Sequence, residues 1–273
     1  MNAGSRGLRC LLFVPATRLD RFHKAASSGA GLAIIDLEDA VPPGQKESAR
    51  GDALGFLRGN PNYALRVNPP DTMAGLADLH ELLASDVEPE LLVVPKVSGP
   101  EQLATLDRLL SSQGKLTGLI PMIESVQGLS AVNRIAQASS RIRALMIGAA
   151  DLAADLGTEA SWEPLAYARS RVIAAAALAG LSAIDSPFFD IGDSDGLAEE
   201  TKRARAFGFE AKAAIHPRQI GVITEMLRPT DQQMTRARLI VDAAAKGVAV
   251  INGVMIDEAM AKKARRTLGQ AEL

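Results

Sequence analysis

The 273-residue sequence is short of several residue types, and each shortage excludes a class of function. Cys10 is the only cysteine, so no intrachain disulfide can form, and a reducing compartment, the cytoplasm, is expected. Cys10 lies inside the apolar run CLLFV, which suits a buried, inert thiol rather than a nucleophile. Histidine is limited to His23, His80 and His216, scattered along the chain, and no Cys/His cluster has zinc spacing. Positive charge is not in excess: 30 Lys and Arg face 32 Asp and Glu, for a formal net charge of −2. This offers no basic face to nucleic acid and no basic tract to a membrane surface. No apolar stretch approaches the ~20 residues of a membrane-spanning helix. Arg6 and Arg9 precede CLLFVPA, but that run is short, is interrupted by Pro15 and has no A-x-A site after it. It reads as a first strand, not a leader. Phosphate-binding loops of the G-x-G-x-x-G and G-x-x-x-x-G-K-[ST] types are absent, as are Pro/Gly/Ser-rich linkers and low-complexity tracts.

The sequence does contain a repeated unit. Six short runs rich in Val, Ile, Leu and Ala each end on an ionisable side chain: AIIDLEDA (33–40), YALRVN (63–68), LLVVPK (91–96), LIPMIES (119–125), ALMIGAADL (144–152) and AKAAIHP (211–217). Such runs read as fully buried parallel strands, and a helical pattern follows each one. LRCLLFVPA (8–16) and LSAIDSPFF (181–189) bring the strands to eight. After the sixth, a loop and then a long helix over WEPLAYARSRVIAAAALAG are expected. The fold class is therefore α/β, with a (β/α)8 TIM barrel over residues 1–228 as first choice and a doubly wound open sheet as the alternative. Residues 229–273 continue past the barrel as a C-terminal helical arm. Its apolar VAVINGVMI (248–256) is too exposed for a monomer in water and is expected to pack on a neighbouring subunit.

A parallel barrel places all strand C-termini on one edge. Glu38, Asp39, Arg66, Lys96, Glu124, Asp151 and His216 should therefore converge where βα enzymes carry their active sites. Glu124 and Asp151 follow neighbouring strands and form the best metal pair. Two carboxylates suit Mg²⁺, a hard cation that leaves its other positions to water and substrate oxygens. A salt bridge in the barrel mouth is the competing reading of Glu124. Arg66, in an apolar context, needs an anionic partner. Glu38, Asp39 and a substrate carboxylate held bidentately all qualify. Lys96 is placed with the substrate-binding groups, and a structural pair with a nearby carboxylate competes for it.

Eight motifs now stand in order: LFVPATRLDRF, IIDLEDAV followed by Lys46 and Arg50, LRVN, VVPKV, IPMIES, GAADLAADLG, IHPRQI and GVMID. From about residue 10 to residue 268 the chain resembles the citrate lyase β-subunit family, which includes malyl-CoA, citramalyl-CoA and related 3-hydroxyacyl-CoA lyases. The resemblance implies a Mg²⁺-dependent TIM barrel, with Mn²⁺ as a substitute ion, that cleaves or forms a C–C bond beside a thioester. Malyl, citramalyl, citryl and hydroxymethylglutaryl thioesters are the substrate options, with acetyl-CoA and a keto acid as products. By position it makes Glu124 and Asp151 metal ligands, Arg66 the substrate-binding arginine, and Glu38 and Asp39 the acidic pair near the metal and its waters, so that Glu124 and Glu38 are expected to join Arg66 and Lys96 around the substrate. Asp257 becomes an acid/base reaching across a subunit interface. It also implies a homotrimer or a dimer of trimers. Two departures stand out: Ala16-Thr17 replaces the usual Gly-Asn after Pro, and Asp257-Glu258-Ala259 lacks the usual Pro two residues past the Asp. An aldolase acting on free 2-keto acids, or a silent binding homologue on the same barrel, are the alternatives.

Overall fold

The computed structural model describes residues 9–245, 249–251 and 254–271. Eight short strands close into a barrel in sequence order, and every neighbouring pair is parallel. They are β1 (Cys10–Pro15), β2 (Leu32–Asp36), β3 (Ala64–Arg66), β4 (Leu91–Val94), β5 (Gly118–Ile123), β6 (Ala144–Ile147), β7 (Ser182–Asp185) and β8 (Ala211–Ala214). The helices wrapped around them are α1 (Phe22–Ala26), α2 (Lys46–Leu57), α3 (Met73–Ala84), α4 (Pro100–Ser112), α5 (Val126–Ala136), α6 (Ala149–Leu156), α7 (Trp162–Ala179), α8 (Ser194–Phe207) and α9 (Arg218–Leu227). The arm follows as α10 (Asp231–Ala244), β9 (Ala249–Ile251), β10 (Val254–Ile256) and α11 (Glu258–Ala271). The expected TIM barrel is thus formed, and the open sheet is excluded by closure between β8 and β1.

Alternation along each strand builds two apolar layers. Twelve buried side chains, among them Leu32, Ile34, Ala64, Val93, Ile120 and Met146, form one cluster that fills the barrel. That matches the roughly twelve places of a three-layered barrel interior. The intervening residues, such as Leu12, Val14, Ile35, Leu65 and Leu92, face the helices and join the larger cluster. Helix α4 shows the complementary pattern, burying Leu103, Leu106 and Leu110 on one face. Ser125 caps α5 by accepting the Gly128 N–H at 3.0 Å, which stops β5 cleanly and leaves Glu124 at the strand end.

The structure corrects several details. Strand β2 ends at Asp36, so Glu38 and Asp39 sit in the loop beyond it, and β7 stops at Asp185 before the predicted SPFF. The stretch expected as a loop after β6 contains α6, because AADLAADL is a strong local helix former closed by Gly157 at φ +67°. The arm is not wholly helical: β9 and β10 pair antiparallel. β-Branched runs flanking Asn-Gly favour that pairing over a helix. Leu8 of the predicted first strand, and Val248, Asn252 and Gly253 of the predicted apolar run, lie outside the described residues. Helices α10 and α11 share a small core of their own, formed by Ala237, Ile240, Ile256 and Ala264.

One buried charge cluster ties the last quarter of the barrel together. The Lys212 ammonium donates to Asp185 at 2.6 Å, to the Ser186 carbonyl at 2.8 Å and to Glu200 at 2.7 Å. Arg169 completes Asp185 at 3.2 Å and stacks its guanidinium over the Trp162 ring, 4.3 Å from the centroid. The cluster joins β7, β8, α7 and α8 behind the barrel wall. Lys212→Met should lower unfolding stability by about 3–5 kcal/mol, because it leaves buried carboxylate charge uncompensated. Urea unfolding at fixed protein concentration checks this; a loss below about 1 kcal/mol would show that the remaining groups rearrange to neutralise the site.

Candidate active site

The register between β2 and β3 sets Asp36 directly beside Arg66. Ile34 and Ala64 point into the barrel interior, so Asp36 and Arg66, two residues further on, share that face at its top. Arg66 donates from Nε to Asp36 Oδ1 at 2.6 Å and from Nη2 to Oδ2 at 2.7 Å. Its Nη1 lies 2.7 Å from Glu38 Oε2 and 3.8 Å from Asp39 Oδ2, and the guanidinium rests 4.7 Å above the Phe13 ring centre. Burial alone would lower the Arg66 pKa. The Asp36 hydrogen bonds and charge, then the charges of Glu38 and Asp39, outweigh burial and raise it. Glu38 and Asp39 are thus partners of Arg66, as two of the sequence options had it. The principal partner, Asp36, was missed, although period-two parity with Ile34 points to it.

The loop carrying Glu38 is braced from beneath. Lys46 Nζ donates to the carbonyls of Leu37 and Glu38, both at 3.0 Å, and to Asn68 Oδ1 at 2.6 Å. Asn68 in turn donates its backbone N–H and its side-chain amide to Asp78 Oδ2 at 2.8 and 2.7 Å. Arg50 pairs with Asp78 at 2.7 Å. Lys46 and Arg50 therefore act through this chain of contacts, a role their bare positions in the sequence did not reveal. The Glu38 carboxylate itself is buried, and neither oxygen has a hydrogen-bond partner among the described residues. The close Arg66 Nη1 contact is an ion pair whose N–H is not aimed at the oxygen. Burial pushes the Glu38 pKa up to about 8; Arg66 opposes this, while Glu124 and Asp39 add to it.

Across the mouth, Glu124 Oε1 accepts the Lys96 backbone N–H at 2.6 Å. Lys96 holds φ at +52°, a left-handed conformation that costs a non-glycine residue of order 1–3 kcal/mol. Its ammonium sits between the two carboxylates, ion-paired with Asp151 Oδ1 and 3.8 Å from Glu124 Oε1. Burial would lower the Lys96 pKa, but Asp151 and Glu124 together raise it. Burial raises that of Glu124 despite Lys96. Asp151 stands in the first turn of α6, where the helix dipole favours a negative charge. Gly148 is required here: a Cβ at that position would lie 2.3 Å from Glu124 Oε2.

These residues fit a divalent ion. Both donors are hard oxygens, and the site already holds a cation, the Lys96 ammonium, between them. Among the described residues no group of three or more His, Cys, Asp or Glu side chains is arranged around a metal position. Two carboxylates plus water and substrate oxygens is a coordination set that suits Mg²⁺.

Between Arg66 and the Glu124–Asp151 pair lies a cavity of about 380 Å³, with Asp36 and Asp39 also on its wall and Phe13, Met122 and Phe189 as apolar lining. The structure thus brings together Glu38, Asp39, Arg66, Lys96, Glu124 and Asp151. It does not bring His216, which is half-buried at the start of α9 and accepts the Arg218 N–H at 3.2 Å. The imidazole points back at its own helix because Pro217 turns the chain there. His23 packs edge-on against Phe56, and His80 is exposed on α3. Cys10 is buried, its pKa pushed up to about 12 by burial, as expected of an inert thiol. Asp257 is not in this cavity: it is exposed and caps α11, accepting the Met260 N–H at 2.8 Å. Glu258 and Ala259 form the first turn of α11, so the missing Pro leaves the helix start intact. Ala16 is fully buried below the mouth.

With this geometry in hand, three comparisons are informative. The L-malyl-CoA/beta-methylmalyl-CoA lyase of Rhodobacter capsulatus is 31% identical, with 99% of this chain and 96% of that protein covered. RipC from Yersinia pestis is 47% identical over 83% of this chain and 97% of its own, with a TM-score of 0.75. CitE from Mycobacterium tuberculosis, solved in complex with magnesium, acetoacetate and coenzyme A, is 30% identical over 98% of this chain and 99% of its own, with a TM-score of 0.83. The profile of the HpcH/HpaI aldolase/citrate lyase family matches residues 9–217, the barrel and its mouth. The chain therefore belongs to the HpcH/HpaI aldolase/citrate lyase family and is an enzyme of the lyase class.

Proposed function

We propose that this enzyme is a Mg²⁺-dependent lyase that cleaves or forms the C–C bond of a 3-hydroxyacyl-CoA thioester, yielding acetyl-CoA and a 2-keto acid. The observation that carries the reading is the pairing of an Arg66 fork with the Glu124–Asp151 carboxylates across one cavity. The malyl-CoA lyase relative and the CitE complex with magnesium, acetoacetate and coenzyme A support it. Mg²⁺ held by Glu124 and Asp151 would supply Lewis acidity to substrate hydroxyl and carboxylate oxygens.

The chain's own residues do the rest. Asp36 occupies Nε and one N–H of Nη2 and Glu38 pairs with Nη1, so the remaining N–H edge of Arg66 is the part the cavity can use. That edge binds substrate oxygens and offsets the negative charge that builds up as the bond breaks. Cleavage removes the hydroxyl proton, breaks the C–C bond and moves the electron pair into the thioester as an enolate. Asp39, on the cavity wall, is the acceptor for the hydroxyl proton. The enolate carbon is then protonated by Asp257. Because Asp257 lies at the end of an arm with a core of its own, its target is the mouth of a neighbouring subunit. Residues 1–228 act as the barrel and 229–273 as a shared lid, in a homotrimer or a dimer of trimers in the cytoplasm. Phe13, Met122 and Phe189 limit water in the cavity.

Glu124→Gln and Asp151→Asn should each abolish turnover and weaken Mg²⁺ binding, read by calorimetry, at least tenfold, while circular dichroism stays native. In Glu124→Gln the new amide oxygen can still accept the Lys96 N–H, so the fold has no reason to fail. Wild-type Mg²⁺ affinity in either variant would remove the metal assignment.

Asp257→Asn keeps the helix cap, since Asn caps as well as Asp, and removes only the acid. It should fold normally and be inactive. When mixed with Glu124→Gln subunits and allowed to exchange, activity should reappear, because some interfaces then join an intact Asp257 to an intact metal site. A mixture that stays inactive after verified exchange would place Asp257 in its own subunit's chemistry or outside it.

Glu38 sets a pH dependence on metal-free stability. Its carboxyl titrates near 4.5 when unfolded and near 8 when folded, so between those values the unfolded chain has released a proton that the folded one keeps. Stability should therefore fall as pH rises from 4.5 to 8, and Glu38→Gln should flatten that fall. Melting temperatures in EDTA measure it; parallel curves for the two proteins would mean Glu38 titrates normally.

A further inference from the structure

A second groove, larger than the active-site cavity, lies away from the active site. It encloses about 740 Å³ between α8 and the arm, and its lining includes Gly208 and Phe209. Those two residues lie three and two positions before β8, so the groove lies at the strand N-terminal end of the barrel, opposite the catalytic mouth.

Its charge is one-sided. Lys202, Arg205, Arg236, Lys263 and Arg266 line it, and among the described residues no carboxylate does. In a chain with net charge −2, five cations around one concavity are not a matter of composition. Lys202 and Arg266 are paired outside the groove, with Glu199 and Glu210. Arg205, Arg236 and Lys263 have no carboxylate partner among the described residues. Arg205 is nevertheless fixed in place. It donates to the carbonyls of Met226 at 3.3 Å and Arg228 at 3.1 Å and to Gln233 Oε1 at 2.6 Å. Those neutral acceptors orient the guanidinium without cancelling its charge. Burial, and then the nearby Arg9, lower its pKa, the mark of a cation that lacks an anion.

The floor is different. Phe209, Ile240 and Met260 give it an apolar surface beneath the charged rim. A cationic rim on an apolar floor, in a volume typical of small-molecule sites, calls for a ligand with phosphates at one end and a flat apolar body at the other. We propose that this groove binds a nucleoside diphosphate-class ligand, with its phosphates on Arg205, Arg236 and Lys263 and its base on the Phe209–Ile240–Met260 floor. Such a ligand would bridge the barrel, through Arg205, and the arm, through Arg236 and Lys263.

The test is calorimetric titration of the full chain with ADP, inorganic pyrophosphate and adenosine, in EDTA so that no metal bridges phosphate to the catalytic carboxylates. ADP should bind at one site per chain, and pyrophosphate and adenosine should each bind at least tenfold more weakly. The double variant Arg236→Gln/Lys263→Gln, at two exposed positions without ion pairs among the described residues, should weaken ADP at least tenfold. Glu124→Gln at the mouth should change ADP affinity less than twofold. Three results overturn the proposal: no ADP binding at millimolar concentration, binding that survives the double variant, or binding lost in Glu124→Gln. Pyrophosphate binding as tightly as ADP would overturn the nucleotide assignment, because the floor would then contribute nothing.

Discussion

Burying the Arg66 guanidinium at the top of a parallel barrel sets the terms for everything around it. A cation removed from water there must be met by carboxylates in good geometry. The register of β2 on β3 supplies Asp36 as a bidentate partner, and the loop beyond β2 brings Glu38 and Asp39 to the remaining side. That loop must be rigid for the arrangement to hold, and Lys46, Asn68, Asp78 and Arg50 form the brace that fixes it. The consequence is functional as well as structural. Asp36 holds one side of the guanidinium, Glu38 and Asp39 stand by Nη1, and the group so fixed lines the cavity.

The opposite wall of the mouth follows the inverse rule. Two carboxylates, Glu124 and Asp151, come close enough to need a positive charge between them, and Lys96 provides one. Lys96 reaches this position through a strained backbone that also aims its N–H at Glu124, and Gly148 clears the space that the Glu124 side chain requires. Strain and a glycine at van der Waals limits are features that a merely structural salt bridge would not need. Both are consistent with a site organised to exchange one cation for another.

The arm stands apart from this machinery. Among the described residues its buried apolar cluster, formed by Ala237, Ile240, Ile256 and Ala264, is separate from the clusters of the barrel. Arg266 ties its far end to Glu210 just before β8, while Asp257 begins α11, nine residues earlier and so about 14 Å along the helix. The groove lined by Arg266 and the exposed Asp257 therefore lie toward opposite ends of α11.

Much of the barrel was legible in the sequence because its cause is local. A strand covered on both faces must be a continuous apolar run, and eight such runs alternating with helical patterns close most simply into a barrel. The charged residues that end those runs were legible for the same reason, so Glu38, Asp39, Arg66, Lys96, Glu124 and Asp151 could be assigned to one edge before any distance was known. Neighbouring strand ends paired Glu124 with Asp151, and motif order added the family. What the sequence could not give were relations set by register and by three-dimensional direction. Asp36 is the partner of Arg66 only because two strands align residue for residue. Lys96 lies between two carboxylates only because its backbone turns left-handed, and His216 points away from the mouth because Pro217 starts a helix there. Asp257 leaves its own cavity because the arm folds on itself. Each depends on where a side chain points after the backbone has closed, and pairwise geometry of that kind is decided by tertiary packing.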